Sequence, residues 1–332
     1  MKFLIQIDHQ GNILPEANFL LEQLKKIYND SNDPFTLIYA MTDDFMSFGS
    51  YSMMLRKCMS DPIKLKQIIP VGDLKFIQEF IRLLWGSQCG VNFIKPLNVP
   101  QELMLMLYSG REIHNITFNE IQEADEVSAE LIKILENQRK LYGRWYVKNM
   151  YCIHHRDNGF YDVIKDTNNG FKTCECRMGE DGKSVHKVFD HEFGKKIIGT
   201  QISKLIPNIV SEWRVFINKK DISRNPVIGI ENTKGNPLMF PKKDRILQFI
   251  EQYTQSPTVY TMDVMVDVNG NTWILNCNYL FLSKLHGFGN VRYPMMLQIA
   301  WNDMIKSLEQ KFEYLKEHGY DPQPGYMEDE KP

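Results

Sequence analysis

The chain has 332 residues, too many for one ordinary compact core, so its length predicts two lobes or one large α/β unit. Hydrophobic residues make up 43% and charged residues 24%, which is ordinary for a globular protein and excludes disorder as the default state. The 39 Lys and Arg nearly balance the 41 Asp and Glu, which excludes an overall basic field for nucleic acid or an anionic membrane but not a local basic groove.

The first 90 residues alternate between strand and helix patterns. Strands are predicted at 2–7, 35–41 and 67–71, and amphipathic helices at 15–28 and 74–85. This alternation favours a small α/β lobe with a partly parallel sheet. A strongly charged helix at 120–141 is predicted to connect it to the rest of the chain.

From residue 144 the pattern becomes mostly β. Strands are predicted at 145–153, 160–166 and 171–178, then a polar loop at 179–187 and a helix at 189–202. Residues 211–222 suggest a strand and a turn, and 258–278 suggest a hairpin around Asn269-Gly270-Asn271. A helix at 292–317 and a mobile tail at 319–332 complete the prediction.

No segment of the sequence reads as a membrane or secretion signal. No apolar run approaches the ~18 residues of a membrane span, and the opening MKFLIQIDHQGNIL is interrupted by Asp8 and His9. The six cysteines are scattered, which favours a reduced, cytoplasmic protein over a disulfide framework.

The 258–278 hairpin carries the most informative residues. Asp263 lies within an apolar strand, and Asn276 and Asn278 are two residues apart, so they share a face of the following strand. This arrangement resembles ATP-grasp enzymes, which carry an acidic residue on one strand and Glu-x-Asn on the next. The resemblance implies that Asp263, Asn276 and Asn278 hold Mg²⁺ against the phosphates of ATP, since Mg²⁺ prefers hard oxygen ligands.

Other segments agree with the resemblance in the same chain order, and SEWRVFI at 211–217 is similar to a phage-rich ATP-grasp clade named for two arginines and a lysine. Lys148 in WYVKNM resembles the strand lysine that contacts phosphates, and SKLIP at 203–207 resembles the hinge that holds adenine. The implied nucleotide contacts are Lys148, Ser203, Lys204, Leu205, Ile206, Glu212 and Arg214. The implied catalytic residues are Arg214, Lys148 and either Arg111 or its rival Arg156.

The chain departs from the family at Asn276, where the pattern has Glu. An amide is neutral and does not replace the carboxylate charge. Three consequences stay open: weaker metal affinity, substitution by Asp267, or nucleotide binding without turnover. Asp267 lies close to the turn, where the expectation is a solvated side chain.

The resemblance implies an α/β plus α+β protein with the ATP-grasp fold. An N-terminal α/β lobe (1–120) and a connecting helix (121–143) would precede the ATP-grasp module (144–318) and the tail (319–332). The implied activity is ATP-dependent ligation of a carboxylate to an amine or thiol through an acyl-phosphate, on an amino acid, peptide or protein. The alternative is a degenerate ATP-grasp protein that binds nucleotide or a protein partner without ligation.

The sequence also contains residues that bear on two other functions, zinc binding and nucleic-acid binding. Cys174 and Cys176 with His186 and His191 do not have the ligand spacing of common zinc sites, so ordinary strand residues are expected there. Nucleic-acid binding through the Lys and Arg of 172–196 is the weaker alternative. No Walker lysine loop and no G-x-G-x-x-G occurs, which argues against P-loop and Rossmann sites.

Overall fold

A computed structural model provides the structure of the chain. It describes residues 2–27, 36–41, 66–73, 76–77, 80–81, 97–117, 145–149, 159–166, 170–178, 184–188, 199–221 and 225–317. The predicted helix at 120–141, the predicted tail and Arg156 lie outside the described residues. Within those residues, no helix combines the length and the apolar composition needed to cross a bilayer.

The N-terminal part is a parallel three-stranded sheet, as the alternating pattern predicts. Its strands are β1 (Lys2–Gln6), β2 (Thr36–Ala40) and β3 (Ile68–Val71), in the order β2-β1-β3. Helix α1 (Pro15–Ile27) buries Ala17, Leu20 and Leu24, which are three or four residues apart and so form one face.

A six-stranded antiparallel sheet follows, in the order β4-β9-β5-β6-β7-β8. Its strands are β4 (Ile113–Thr117), β5 (Trp145–Asn149), β6 (Gly159–Asp166), β7 (Gly170–Met178), β8 (Ser184–Val188) and β9 (Gly199–Lys204). Two sequence predictions are wrong in part: strand β8 overlaps the loop expected at 179–187, and strand β9 overlaps the end of the helix expected at 189–202. Pairing decides both, because β8 pairs with β7 and β9 lies between β4 and β5.

The predicted hairpin belongs to a four-stranded antiparallel sheet in the order β11-β10-β12-β13. The strands are β10 (Ile209–Asn218), β11 (Val227–Gly235), β12 (Val259–Asp267) and β13 (Thr272–Tyr279). Gly270 has φ +73° in the turn between β12 and β13, which confirms the turn expected at Asn269-Gly270-Asn271. Residues 205–208 lead directly from β9 into β10 and so connect the two larger sheets.

The two faces of the four-stranded sheet bury different cores. One face packs Trp213, Val215, Met262 and Val264 with the region of helices α2 (Met106–Ser109) and α3 (Lys243–Gln252). The other face contributes Phe216 to a core shared with the N-terminal sheet and the C-terminal helix α4 (Tyr293–Glu317). The polar residues between these apolar positions therefore lie on the Phe216 face.

Helix α4 (Tyr293–Glu317) ties the N-terminal sheet to this core. The Trp301 indole Nε1 donates to the Lys66 carbonyl at 2.8 Å, and the Lys66 ammonium pairs with Glu309 at 2.7 Å. Short 3-10 turns occur at Gln101–Leu103, Lys219–Asp221 and Leu280–Leu282.

Candidate functional site

A row of polar residues crosses the four-stranded sheet on the Phe216 face. Backbone register places Arg214 of β10 opposite Glu231 of β11 on one side and Asp263 of β12 on the other. Asp263 is in turn opposite Asn276 of β13. Opposite residues of antiparallel strands share a face, so all four side chains start from the same surface.

The centre of this row is a two-point ion pair between Arg214 and Asp263. The guanidinium Nε donates to Asp263 Oδ1 at 2.7 Å, and its Nη2 donates to Asp263 Oδ2 at 3.0 Å. Both side chains are mostly buried, at 13% and 14% exposure. Arg214 Nη1 also donates to the Lys284 carbonyl at 2.8 Å, so the guanidinium is held from two directions.

A directed chain of amides continues from Asp263. Asn278 Nδ2 donates to Asp263 Oδ2 at 3.0 Å, and Asn276 Nδ2 donates to Asn278 Oδ1 at 2.9 Å. A carboxylate only accepts hydrogen bonds, so it fixes the orientation of both amides. The chain ends at Asn276 Oδ1, which is buried and accepts no hydrogen bond from the described residues. This oxygen is therefore an available acceptor for a cation or for a donor of a ligand.

Arg111 holds the strand that presents these amides. The pairing of β12 with β13 shifts at Leu275, which forms a bulge just before Asn276. Arg111 donates to the carbonyls of Ile274 at 2.6 Å and Leu275 at 3.1 Å, and burial lowers its pKa to about 10. The guanidinium also donates to the Ser109 carbonyl at 3.1 Å, so all of its described hydrogen bonds go to backbone oxygens. Arg111 therefore positions β13. A contact between Arg111 and phosphate stays a prediction.

Asp267 has a structural environment. It is 8% exposed, and its carboxylate accepts from the backbone N–H groups of Asn269 and Asn271, each at 2.9 Å. The Asn271 side chain and the Trp273 indole donate as well, at 3.0 and 3.1 Å, and these hydrogen bonds lower the pKa of Asp267 against the effect of burial. The expectation of a solvated Asp267 is wrong, because the turn itself buries and satisfies the carboxylate.

The expected hinge lies between the two sheets. Ser203 and Lys204 end β9, and Leu205 and Ile206 follow. The Lys204 backbone N–H donates to the Glu112 backbone carbonyl at 3.0 Å, and the Lys204 ammonium pairs with the Glu112 carboxylate at 2.9 Å. Both donor groups of Lys204 are therefore bonded to Glu112. Contacts of Ser203, Lys204, Leu205 and Ile206 with adenine stay predictions.

Glu212 and Met265 lie next to each other on the site face, one row closer to the hinge than Arg214 and Asp263. Glu212 is 4.0 Å from the Lys234 ammonium, a loose pair. Met265 is 6% exposed and was not singled out from sequence, because one apolar residue in an apolar strand gives no signal. This row therefore places one acid and one buried apolar side chain between the hinge and the Arg214–Asp263 pair.

Lys148 is opposite Gln201 in the register of β5 and β9. The Gln201 amide donates to the Val99 carbonyl at 3.1 Å, and the adjacent Asn98 carbonyl accepts from the Cys277 N–H at 2.8 Å. These hydrogen bonds, through the Gln201 side chain and the backbone of 98–99, connect the neighbouring strand of Lys148 to Cys277, the residue between Asn276 and Asn278. The phosphate role of Lys148 stays a prediction.

Glu231 is the residue of the row that the sequence did not reveal. Its segment, VIGIENTKG, shows no clear alternation of apolar and polar residues, so its faces could not be assigned. The structure assigns them: a Cβ at Gly229 would lie 2.6 Å from the Phe288 ring, which occupies that space on the site face. Glu231, two residues on, lies on the same face.

The residues fit a magnesium ion in donor type but carry little charge. One carboxylate and two amide oxygens are the hard oxygen donors that Mg²⁺ takes, and Asn276 Oδ1 has no partner among the described residues. Arg214 neutralises Asp263, however, and among the described residues no group of three or more His, Cys, Asp or Glu could hold a metal. Cys176 lies opposite His186 in β7 and β8, and His191 is outside the described residues.

The comparison with protein families gives one match. Residues 153–296 match the family described as "ATP-grasp domain, R2K clade family 2". That range contains the hinge, Arg214, Asp263, Asn276 and Asn278. The resemblance to ATP-grasp proteins seen in the sequence is confirmed, and the fold of this part of the chain is the ATP-grasp fold. No curated protein matches the chain.

Solved structures give distant similarities. The macrocyclase MdnC bound with precursor peptide MdnA from Microcystis aeruginosa MRC is 12% identical over 90% of this chain and 98% of its own, with TM-score 0.37. D-alanyl-alanine synthetase A from Vibrio cholerae O1 biovar eltor str. N16961 is 10% identical over 92% and 99%, with TM-score 0.43. D-cycloserine synthetase DcsG is 8% identical over 93% and 100%, with TM-score 0.43.

Proposed function

We propose that this chain, which carries an ATP-grasp domain at residues 153–296, is an ATP-dependent ligase that joins a carboxylate to an amine or a thiol. The observation that carries the proposal is the cluster of Arg214, Asp263, Asn276 and Asn278 on one face of the sheet. It combines a guanidinium suited to phosphoryl oxygens with oxygen donors suited to Mg²⁺. Substrates of this class are an amino acid, a peptide or a protein.

The reaction has two transfers. A carboxylate oxygen of the substrate attacks the γ-phosphorus of ATP, the bond to the β-phosphate oxygen breaks, and ADP leaves. The lone pair of the acceptor then attacks the acyl carbon, the bond to the phosphate oxygen breaks, and phosphate leaves with a proton lost from the acceptor. The protein's task in both steps is to position the reactants and to stabilise charge.

The residues divide this task by their chemistry. Arg214 would hold the oxygens of the transferring phosphoryl group, and Lys148 would contact the nucleotide phosphates. Asp263, Asn276 and Asn278 would hold Mg²⁺, which neutralises phosphate charge. The hinge at Ser203–Ile206 and Met265 would border the adenine. We also propose the division into an N-terminal lobe (1–120), connecting helix (121–143), ATP-grasp module (144–318) and tail (319–332), in a cytoplasmic protein.

The function is tested by trapping the intermediate. Incubation with Mg²⁺, ATP and a panel of amino acids and peptides, with hydroxylamine as the acceptor, should release ADP and form a hydroxamate, because hydroxylamine attacks acyl-phosphates. A panel member that gives both products identifies the carboxylate. Binding of ATP without ADP release on any panel member would favour the second candidate, a nucleotide-binding protein without ligation, for which the neutral Asn276 is the specific observation.

The variant Asn276→Glu tests what that missing charge does. It adds a second carboxylate beside Asp263, so we expect the Mg²⁺ concentration for half-maximal ATP binding to fall ~10-fold, or ~1.4 kcal/mol. Calorimetric titration of ATP at several Mg²⁺ concentrations measures it. The matched control is Asn276→Gln, which has the length of Glu without its charge. Equal Mg²⁺ dependence of the two variants would show that charge at this position does not set metal affinity.

A further inference from the structure

Arg214 lies between two carboxylates on the neighbouring strands, and it forms an ion pair with only one of these two. Asp263 is opposite Arg214 on β12 and Glu231 is opposite it on β11, within an unshifted stretch of register. Side chains opposite each other on antiparallel strands start about 5 Å apart at their Cβ atoms. A guanidinium at position 214 can therefore reach either acid without movement of the backbone.

Glu231 makes no hydrogen bond or ion pair with any of the described residues. Asp263, in contrast, receives two bonds from Arg214 and one from Asn278. Burial raises the pKa of Glu231, which is the effect expected when no cation compensates the lost hydration. Gly287, whose added Cβ would lie 3.8 Å from Glu231 Oε2, brings the loop after β13 against this carboxylate.

The ion pair with Asp263 conflicts with metal binding at the same carboxylate. Arg214 bonds both Asp263 oxygens, so a metal ion that binds there brings a second positive charge close to the guanidinium and favours its release. A mostly buried guanidinium without a counter-charge is strongly destabilising. The Lys284 carbonyl is a neutral acceptor and supplies no such charge.

We propose that Glu231 is the second partner of Arg214. Glu231 forms an ion pair with the Arg214 guanidinium when Asp263 binds a metal ion. The proposal rests on the proposed function in one respect, the binding of Mg²⁺ and ATP at Asp263. Glu231 is then a positioning residue: it keeps Arg214 paired and on the site face, beside the phosphoryl group rather than on the metal ligand. The exchange replaces one ion pair by another, so its cost is small.

A ligand-free double-variant cycle tests the proposal without nucleotide. Asp263→Asn removes the present partner, and Arg214 should then pair with Glu231. We expect Asp263→Asn to lower the Tm by about 3 °C more in the Glu231→Gln background than in the wild-type background. Glu231→Gln alone should leave the Tm within about 1 °C, because Glu231 has no partner to lose in the metal-free protein.

Glu251→Gln is the matched control, since Glu251 is an exposed acid on α3 away from the site. Its effect should add to that of Asp263→Asn. If Glu231→Gln is equally additive, Arg214 does not use Glu231 and the proposal is overturned. Should the double variant not fold, Asp263→Asn in the Glu231→Asp background gives the same comparison, with a shorter carboxylate that lies further from Arg214.

Binding of Mg²⁺ and ATP provides the second readout. Calorimetry on Glu231→Gln should require about tenfold more Mg²⁺ for half-maximal ATP binding than the wild type, because Arg214 stays on Asp263. Equal Mg²⁺ requirements would overturn the proposed role in metal binding. If the wild type itself binds no ATP with Mg²⁺, the proposed function fails, and the ligand-free cycle still decides whether Glu231 is the second partner.

Discussion

Asp263→Asn should reduce ADP formation at least ~100-fold, a loss of ~2.7 kcal/mol of transition-state stabilisation. The substitution keeps the size of the side chain but removes the only carboxylate among the three expected Mg²⁺ ligands. ADP release under saturating carboxylate, with ATP binding followed by calorimetry, separates lost binding from lost turnover.

Asp267→Asn is the control for Asp263→Asn, because it removes a carboxylate from the same strand. Asp267 holds the β12–β13 turn through four hydrogen bonds, so this variant should lower the Tm while folded protein retains ATP binding. Equal loss of ATP binding in both variants would mean that ATP binding depends on an intact β12 strand and not on the Asp263 carboxylate itself.

Arg214→Ala should lower the rate of ADP formation by ~10²–10³, the usual loss when one preorganised donor to a developing charge is removed. The same substitution should increase the affinity of the site for Mg²⁺. Without Arg214, Asp263 loses its two guanidinium bonds and is free to bind an ion. We therefore expect added Mg²⁺, without nucleotide, to raise the Tm of Arg214→Ala more than that of the wild type.

Arg245→Ala is the comparison for Arg214→Ala. Arg245 lies over the Tyr108 and Phe249 rings, at 5.6 and 5.1 Å from their centroids, on the face of the sheet opposite the site. Its loss should lower stability without changing the response to Mg²⁺. A wild-type response to Mg²⁺ in Arg214→Ala would contradict competition between the guanidinium and the metal for Asp263.

The sequence was enough to locate the hairpin and to show that Asn276 and Asn278 share a face of their strand. Their place on the same face as Asp263 depends on the bulge at Leu275, because unbroken alternation from the turn would put Leu275 opposite Asp263. The bulge at Leu275 could not be predicted, because it depends on Arg111, more than 160 residues earlier in the chain, which binds the bulge carbonyls.

The pairing of Arg214 was beyond the sequence for a related reason. The sequence predicts only that Arg214 contacts the nucleotide, since the register of β10 against β12 and β11, which brings Asp263 and Glu231 beside it, is set by distant segments. Strand β9 was missed for the same reason, as its local pattern suits a helix and its pairing with β4 and β5 decides otherwise. The periodicity of a segment indicates its own secondary structure, but it does not identify the strand with which that segment pairs.

The central claim is that ATP and Mg²⁺ bind on this face through Asp263, and calorimetric titration of the wild-type protein and Asp263→Asn with ATP, in the presence and absence of Mg²⁺, tests it most directly. We expect the wild type to bind ATP, with an affinity that Mg²⁺ increases, and Asp263→Asn to lose that increase. No heat of binding at millimolar ATP in the wild type, or the same gain from Mg²⁺ in Asp263→Asn, would contradict the assignment of the site.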